Sequence, residues 1–351
     1  MIGTGRTDAI ARWGIIGHDT AVEGLATAIA TGRISHAYLI TGPGGIGRTA
    51  LASAMARALN CTAAADARPC NMCDNCQHSL KGNHPDITLA DLPWQEKTID
   101  RPRGSTGPRR EFSIDAIRYL RQNIVTRPVL GRWKVQIIDA ADTFSDQAPD
   151  AFLKTLEEPP SYAVLILIAS SEDSVSETIR SRCRTIELGP VPAADVDAAL
   201  VAKGLDRPAI DTIVRAARGR IGWALAMAEH PEELLKRREK VEAAFERVTT
   251  PLGRVEVSGV IARDYSKKRE ATWEMLDLFA GLWRDALFHR VGIPEQTAFP
   301  EVADRLATYA SRIEVPDLYR ALWATRRCMG DLNDNVQPRI ALHAMVMQWP
   351  E

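Results

Sequence analysis

The stretch SHAYLITGPGGIGRTALASAMARAL, residues 35–59, constrains the fold more than any other part of this chain. A short apolar run ends at a glycine cluster, and the residues beyond it repeat Ala and Leu with helical periodicity. Strand, glycine loop and helix in that order form the context in which a phosphate-binding loop is credible. Gly42, Gly44, Gly45 and Gly47 let backbone N–H groups turn inward to cradle an anion at the start of a helix. Thr49 supplies the hydroxyl that such a loop uses to hold Mg²⁺. At the position where the motif G-x-x-x-x-G-K-[ST] has lysine, this chain has Arg48. A planar guanidinium is a poor substitute for a compact ammonium at a close-packed phosphate site. The loop therefore predicts weakened nucleotide binding and impaired hydrolysis.

The strands expected around this loop are visible as β-branched apolar runs, WKVQIIDAAD at 133–142 and AVLILIASS at 163–171, of the kind buried on both faces of a parallel sheet. Between them DQAPDAFLKTLEEPP reads as a helix stopped by Pro159 and Pro160. Alternating strands and helices predict a doubly wound α/β domain over 1–188. Beyond it the strand signals vanish: 189–248 reads as a small helical domain and 249–351 as a second, all-α one, with WEMLDLFAGLWRDALFHRVG strongly amphipathic. Residues 93–112 are rich in proline, glycine and arginine and are expected to form an exposed basic loop.

Hydrophobic residues make up 45% of the 351 and charged ones 25%, which is ordinary for a globular chain. The net charge of -1 excludes a global positive field, so any contact with DNA must be local or shared. No secretory signal or membrane span is legible, and a cytoplasmic location is expected. Four of the six cysteines, Cys61, Cys70, Cys73 and Cys76, crowd into residues 61–76, within a module at 60–80. Four thiolates complete the tetrahedral shell of a structural Zn²⁺. An iron–sulfur cluster or free thiols are the alternatives, although the proline-followed fourth cysteine of the C-x₂-C-x₂-C iron–sulfur run is missing.

Two further places bear on chemistry. The strand IID ends in Asp139, suited to supporting Mg²⁺, but the next position, where a glutamate would polarise water, is Ala140. In ETIRSRCRTIEL, Arg182 stands just before the last strand, where an arginine can be presented to a neighbour's phosphate. The plainer reading is that Arg180, Arg182 and Arg184 form a solvated charge run.

Taken together these residues resemble the AAA+ clamp-loader subunits of bacterial DNA polymerase III, and among them the delta-prime type. WGIIGHD at 13–19 is similar to the segment near the adenine pocket, FLKTLEEPP and SRC at 181–183 are similar to the family's most specific strings, and LNDNVQPRIALHAMV is similar to the closing collar helix. The resemblance implies an AAA+ domain with a zinc module, a helical lid and a collar through which five subunits form a ring. It also implies that Arg182 is an arginine finger acting in trans. GRIGWAL at 219–225 aligns with the lid segment that carries a sensor arginine in motor subunits, which puts Gly222 at that position. Expected partners are gamma/tau-like motor subunits, a delta-like clamp opener, the sliding clamp and primed DNA. The implied role is a subunit without ATPase activity of its own. The competing expectations are a gamma/tau-like motor with a variant loop, and a zinc-bearing DNA-binding protein.

Overall fold

The computed structural model describes residues 10–100, 111–145, 148–334 and 336–350. Its first part follows the chain through α1 (Asp19–Ala30), β1 (Ala37–Thr41), α2 (Arg48–Asn60), α3 (Asp74–Leu80), β2 (Ile87–Ala90), α4 (Leu92–Thr98), α5 (Ile114–Ile124), β3 (Lys134–Asp139), α6 (Ala148–Glu157), β4 (Ala163–Ala169), α7 (Glu177–Arg180) and β5 (Arg184–Glu187). Among the described residues the strands form one sheet, all parallel, in the order β2-β3-β4-β1-β5.

Side chains alternate across this sheet with period two. Tyr38, Ile40, Val164, Ile166 and Ile168 pack on one face with Leu51, Met55 and Leu59 of α2 and Val22, Leu25 and Ile29 of α1. Leu39, Leu165, Leu167 and Ile138 pack on the other with Ile117 and Leu120 of α5 and Phe152 and Leu156 of α6. Both faces are covered, so β1 and β4 are buried at every position. This is why their sequences read as continuous apolar runs.

The α/β architecture expected from the sequence is present, with differences at its edge. Strand β2 was not foreseen: it is four residues long and only Ala90 in it is buried, too short and too exposed to give a periodic signal. The basic loop expected over 93–112 is corrected at both ends. The Asp91 carboxylate accepts the Trp94 N–H at 2.6 Å and starts helix α4, with Gln95 fully buried, and Phe112 enters the core. Residues 101–110 lie outside the described residues.

The chain divides into two compact units, Met1–Val196 with Gly219–Trp223, and Asp197–Arg218 with Ala224–Glu351. The second unit contains helices Pro231–Thr249, Arg269–Val291, Val315–Asn333 and Pro338–Val346. Their core holds Phe279, Trp283 and Trp349 in tilted and edge-on aromatic contact. Within it the buried Asp285 carboxylate accepts the N–H groups of Ala298 and Phe299 at 2.6 and 3.0 Å and pairs with Arg284 at 2.8 Å.

In the first unit a comparable buried carboxylate shapes one edge of the sheet. Asp86, 0% exposed, accepts the backbone N–H groups of Val129, Leu130 and Gly131 at 2.7–2.8 Å and pairs with Lys134 at 3.5 Å. Burial pushes this carboxyl up, but the three N–H groups and the ammonium outweigh it and hold it below its ordinary 3.8. Asp86→Ala leaves three N–H groups and a cation without their acceptor, and should destabilise the fold by about 3–5 kcal/mol at pH 7. Because the folded pKa is depressed, this contribution is complete above the ordinary value and is lost as pH falls through the folded one. Urea unfolding should therefore show the gap between wild type and variant narrowing below about pH 4.

Candidate functional site

The phosphate loop is built by its glycines. Gly42, Gly45 and Gly47 adopt φ of 142°, 75° and 109°, in the region that side chains disfavour. A Cβ on Gly42 would come within 2.5 Å of the Leu188 carbonyl oxygen. Gly47 caps α2 without a side chain, and the first turn of a 13-residue helix presents N–H groups that the helix itself does not pair. An anion placed there meets unpaired donors and the positive end of the helix dipole.

Thr49 and Asp139, 90 positions apart, are brought together: the hydroxyl donates to the Asp139 carboxylate at 2.6 Å. The Arg48 guanidinium donates to the Ala169 carbonyl at the end of β4. Strand register explains both contacts, because Thr41 lies opposite Ala169 and Asp139 opposite Ile168, so β1, β3 and β4 end level with one another. Ala140 follows in a left-handed conformation, φ 77°, and carries no group able to orient water.

Two contacts to the loop were not legible beforehand. His18 bonds the Ile46 carbonyl through Nε2 at 2.8 Å. The N–H groups of Gly222 and Trp223 donate to the Gly45 carbonyl at 2.8 and 3.3 Å. A Cβ at Gly222 would stand 3.0 Å from that same oxygen, so the missing side chain lets the backbone dock against the loop. The sequence marked Gly222 only as the absence of an arginine; its donor role depends on a fold contact between residues 177 positions apart.

The four cysteines converge. Cys61 follows the end of α2, Cys73 caps α3 and Cys76 lies within it. Their sulfurs all lie within 4.8 Å of one another, with Cys61 and Cys73 at 3.9 Å. Four thiolates around Zn²⁺ at about 2.3 Å stand about 3.8 Å apart, so the cluster fits a metal ion with small adjustment. The N–H groups of Cys70 and Cys73 point at the sulfurs of Cys61 and Cys70, at 3.3 and 3.4 Å. Burial pushes the Cys73 thiol up, yet N–H donors from Thr62 and Cys76 outweigh it and bring the thiol down to about 6. Burial raises Cys61 and Cys76. Asn75, donating to the Asn60 and Leu130 carbonyls, ties the module to the sheet domain.

Arg182 stands elsewhere. It lies in the turn between α7 and β5, and β5 begins opposite Tyr38 near the start of β1, whereas the phosphate loop follows Thr41 at the end of β1. In a parallel sheet this places Arg182 at the opposite edge from its own loop, separated by at least three strand residues, or about 10 Å. Its guanidinium donates through Nη2 to Glu157 Oε1 at 2.6 Å and through Nη1 to the Thr178 carbonyl at 2.8 Å. Arg180 pairs with Asp173 at 3.1 Å, and Arg184 is an exposed residue of β5.

The family described as DNA polymerase III, delta subunit, matches residues 17–192. A DNA polymerase III subunit gamma from Buchnera aphidicola is 30% identical over 243 residues, covering 68% of this chain and 62% of that protein. A DNA polymerase III subunit tau/gamma from Haemophilus influenzae is 30% identical over 221 residues, 61% of this chain and 30% of that longer protein. The chain thus spans less than two thirds of the length of these relatives. A DNA polymerase III gamma subunit-related protein from Thermotoga maritima aligns over 93% of this chain and 97% of its own, at 19% identity and a TM-score of 0.40. Since the family match takes in half of the sequence and all five strands, the chain belongs to the DNA polymerase III delta subunit family of clamp-loader-related proteins.

Proposed function

We propose that this chain is a clamp-loader subunit of the delta-prime type, which hydrolyses no ATP itself and offers Arg182 to the nucleotide of an adjacent motor subunit. The observation that carries this reading is the register of the sheet, which puts Arg182 on the edge away from the chain's own phosphate loop. An arginine so placed is suited to another subunit's phosphate, where its charge would offset the negative charge that develops during transfer. Three features of the chain's own loop agree: Arg48 is drawn to the Ala169 carbonyl, Ala140 offers no base, and the N–H groups of Gly222 and Trp223 close on Gly45. Within this reading 189–248 is the lid, 249–351 the collar of a five-membered ring, and the cysteine cluster holds Zn²⁺. The partners are gamma/tau-like motor subunits, a delta-like subunit, the sliding clamp and primer-template DNA, in the cytoplasm.

The second reading, a gamma/tau-like motor with a variant loop, draws support from the gamma and tau names of its relatives and from the Thr49–Asp139 pair. The two readings part on the isolated chain. Delta-prime character predicts ATP turnover no higher than background for wild type and for Arg48→Lys alike, because Ala140 is unchanged; turnover by the wild type measured with radiolabelled ATP would support the motor.

In a complex reconstituted with its motor and clamp-opening subunits, Arg182→Ala should lower DNA-stimulated ATP hydrolysis at least about tenfold, as expected on losing one of several fingers. Unchanged hydrolysis would remove the finger assignment.

For the metal, one zinc per colourless chain is expected by elemental analysis. Cys73→Ser should release that zinc and expose residues 60–80 to protease, since such modules fold with their metal. Stoichiometric iron in brown protein would replace zinc with a cluster.

A further inference from the structure

We propose that Glu157 is a positioning residue for Arg182, holding the guanidinium in the orientation in which it is offered to the neighbouring subunit. This inference rests on the reading of Arg182 as a residue that acts in trans. Glu157 is the last residue of α6, and Pro159 and Pro160 close behind it prevent the helix from continuing, so its carboxylate has a fixed origin. A carboxylate at that end faces the negative pole of the helix dipole, so the helix itself gains nothing from it. What it meets instead is Arg182 Nη2, at 2.6 Å.

The grip comes from two sides. Nη1 is held by the Thr178 carbonyl on α7, and Nη2 by Glu157 on α6, so two separate elements fix the plane of the guanidinium. Nη1 donates to the Thr178 carbonyl and, at a longer 3.4 Å, to Ser181 Oγ, while Nη2 uses one N–H on Glu157, so the second Nη2–H and Nε–H stay available for phosphate oxygens. A long arginine side chain otherwise samples many rotamers, and a group held in its reactive orientation beforehand loses less freedom on reaching the transition state. Arg180 lacks such a hold, because its partner Asp173 has a side chain 96% exposed and bound to no packed surface.

As a stabilising contact the pair is minor, since both side chains reach solvent, at 33% and 50% exposure. Removing the carboxylate therefore leaves the fold and the assembly intact, and the effect is readable in catalysis. The test uses the complete reconstituted complex, with ATP turnover measured against ATP concentration in the presence of clamp and primed DNA. Glu157→Ala should lower kcat about five- to tenfold with KM changed less than about twofold. Glu157→Gln, whose amide oxygen accepts from the same place, should return kcat to within about twofold of wild type. In an Arg182→Ala background Glu157→Ala should have no further effect. Wild-type kcat in Glu157→Ala, a raised kcat, or an equal loss in the Arg182→Ala background would each overturn the proposal while leaving the finger standing. If Arg182→Ala itself turns over like wild type, the trans-acting reading fails and this inference with it. Should Glu157→Ala assemble poorly, Glu157→Gln decides: a loss of kcat equal to that of Arg182→Ala, in a complex that assembles normally, shows that an acceptor at this place is not enough and overturns the proposal.

Discussion

Because all five strands run the same way, the sheet has two chemically different edges, and each candidate site belongs to one of them. At the carboxyl edge, β1, β3 and β4 end level, so Gly42, Asp139 and Ala169 meet although the chain separates them by scores of residues. Packed helices on both faces hold the strands in one register, and a shift of one residue would turn every buried side chain to the wrong face. The geometry of Thr49 against Asp139, and of Arg48 against Ala169, is a consequence of that register.

The amino edge carries a separate set of contacts. Asp86 fixes the loop before β3, Asn60 and Asn75 join that loop to the cysteine module, and Glu157 and Arg182 meet where α6 and α7 lead into β4 and β5. Asn60 bonds both the N–H and the carbonyl of Trp133, and Gly131 passes so close that a Cβ there would stand 2.3 Å from the Asn60 amide oxygen. The cysteine module is thereby fastened to the same sheet as the glycine loop.

The glycine loop after β1 keeps its left-handed conformations while the polar groups around it are engaged within the fold. The glycine conformations are intact, yet Arg48 turns to a backbone carbonyl and the Gly45 carbonyl receives two N–H groups from 222–223. A Cβ at 222 would stand 3.0 Å from that oxygen, a tight contact that the glycine avoids.

Residue order alone determined what depends on near neighbours. The run before Gly42 and the periodic Ala and Leu after it specify strand, loop and helix; Pro159 and Pro160 end α6; the spacing of Cys61, Cys70, Cys73 and Cys76 marks a cluster. Strand β2 gives no signal because it has four residues of which only Ala90 is buried, and helix α4 gives none because proline and arginine around it read as a loop. Only the tertiary structure decided which edge of the sheet each residue faces, that Gly222 donates to Gly45, that Asp86 holds three N–H groups and that Glu157 grips Arg182. Local sequence fixes helices and turns through contacts a few residues apart, whereas these pairings join positions from 25 to 177 residues apart and exist only once packing has set the strand register.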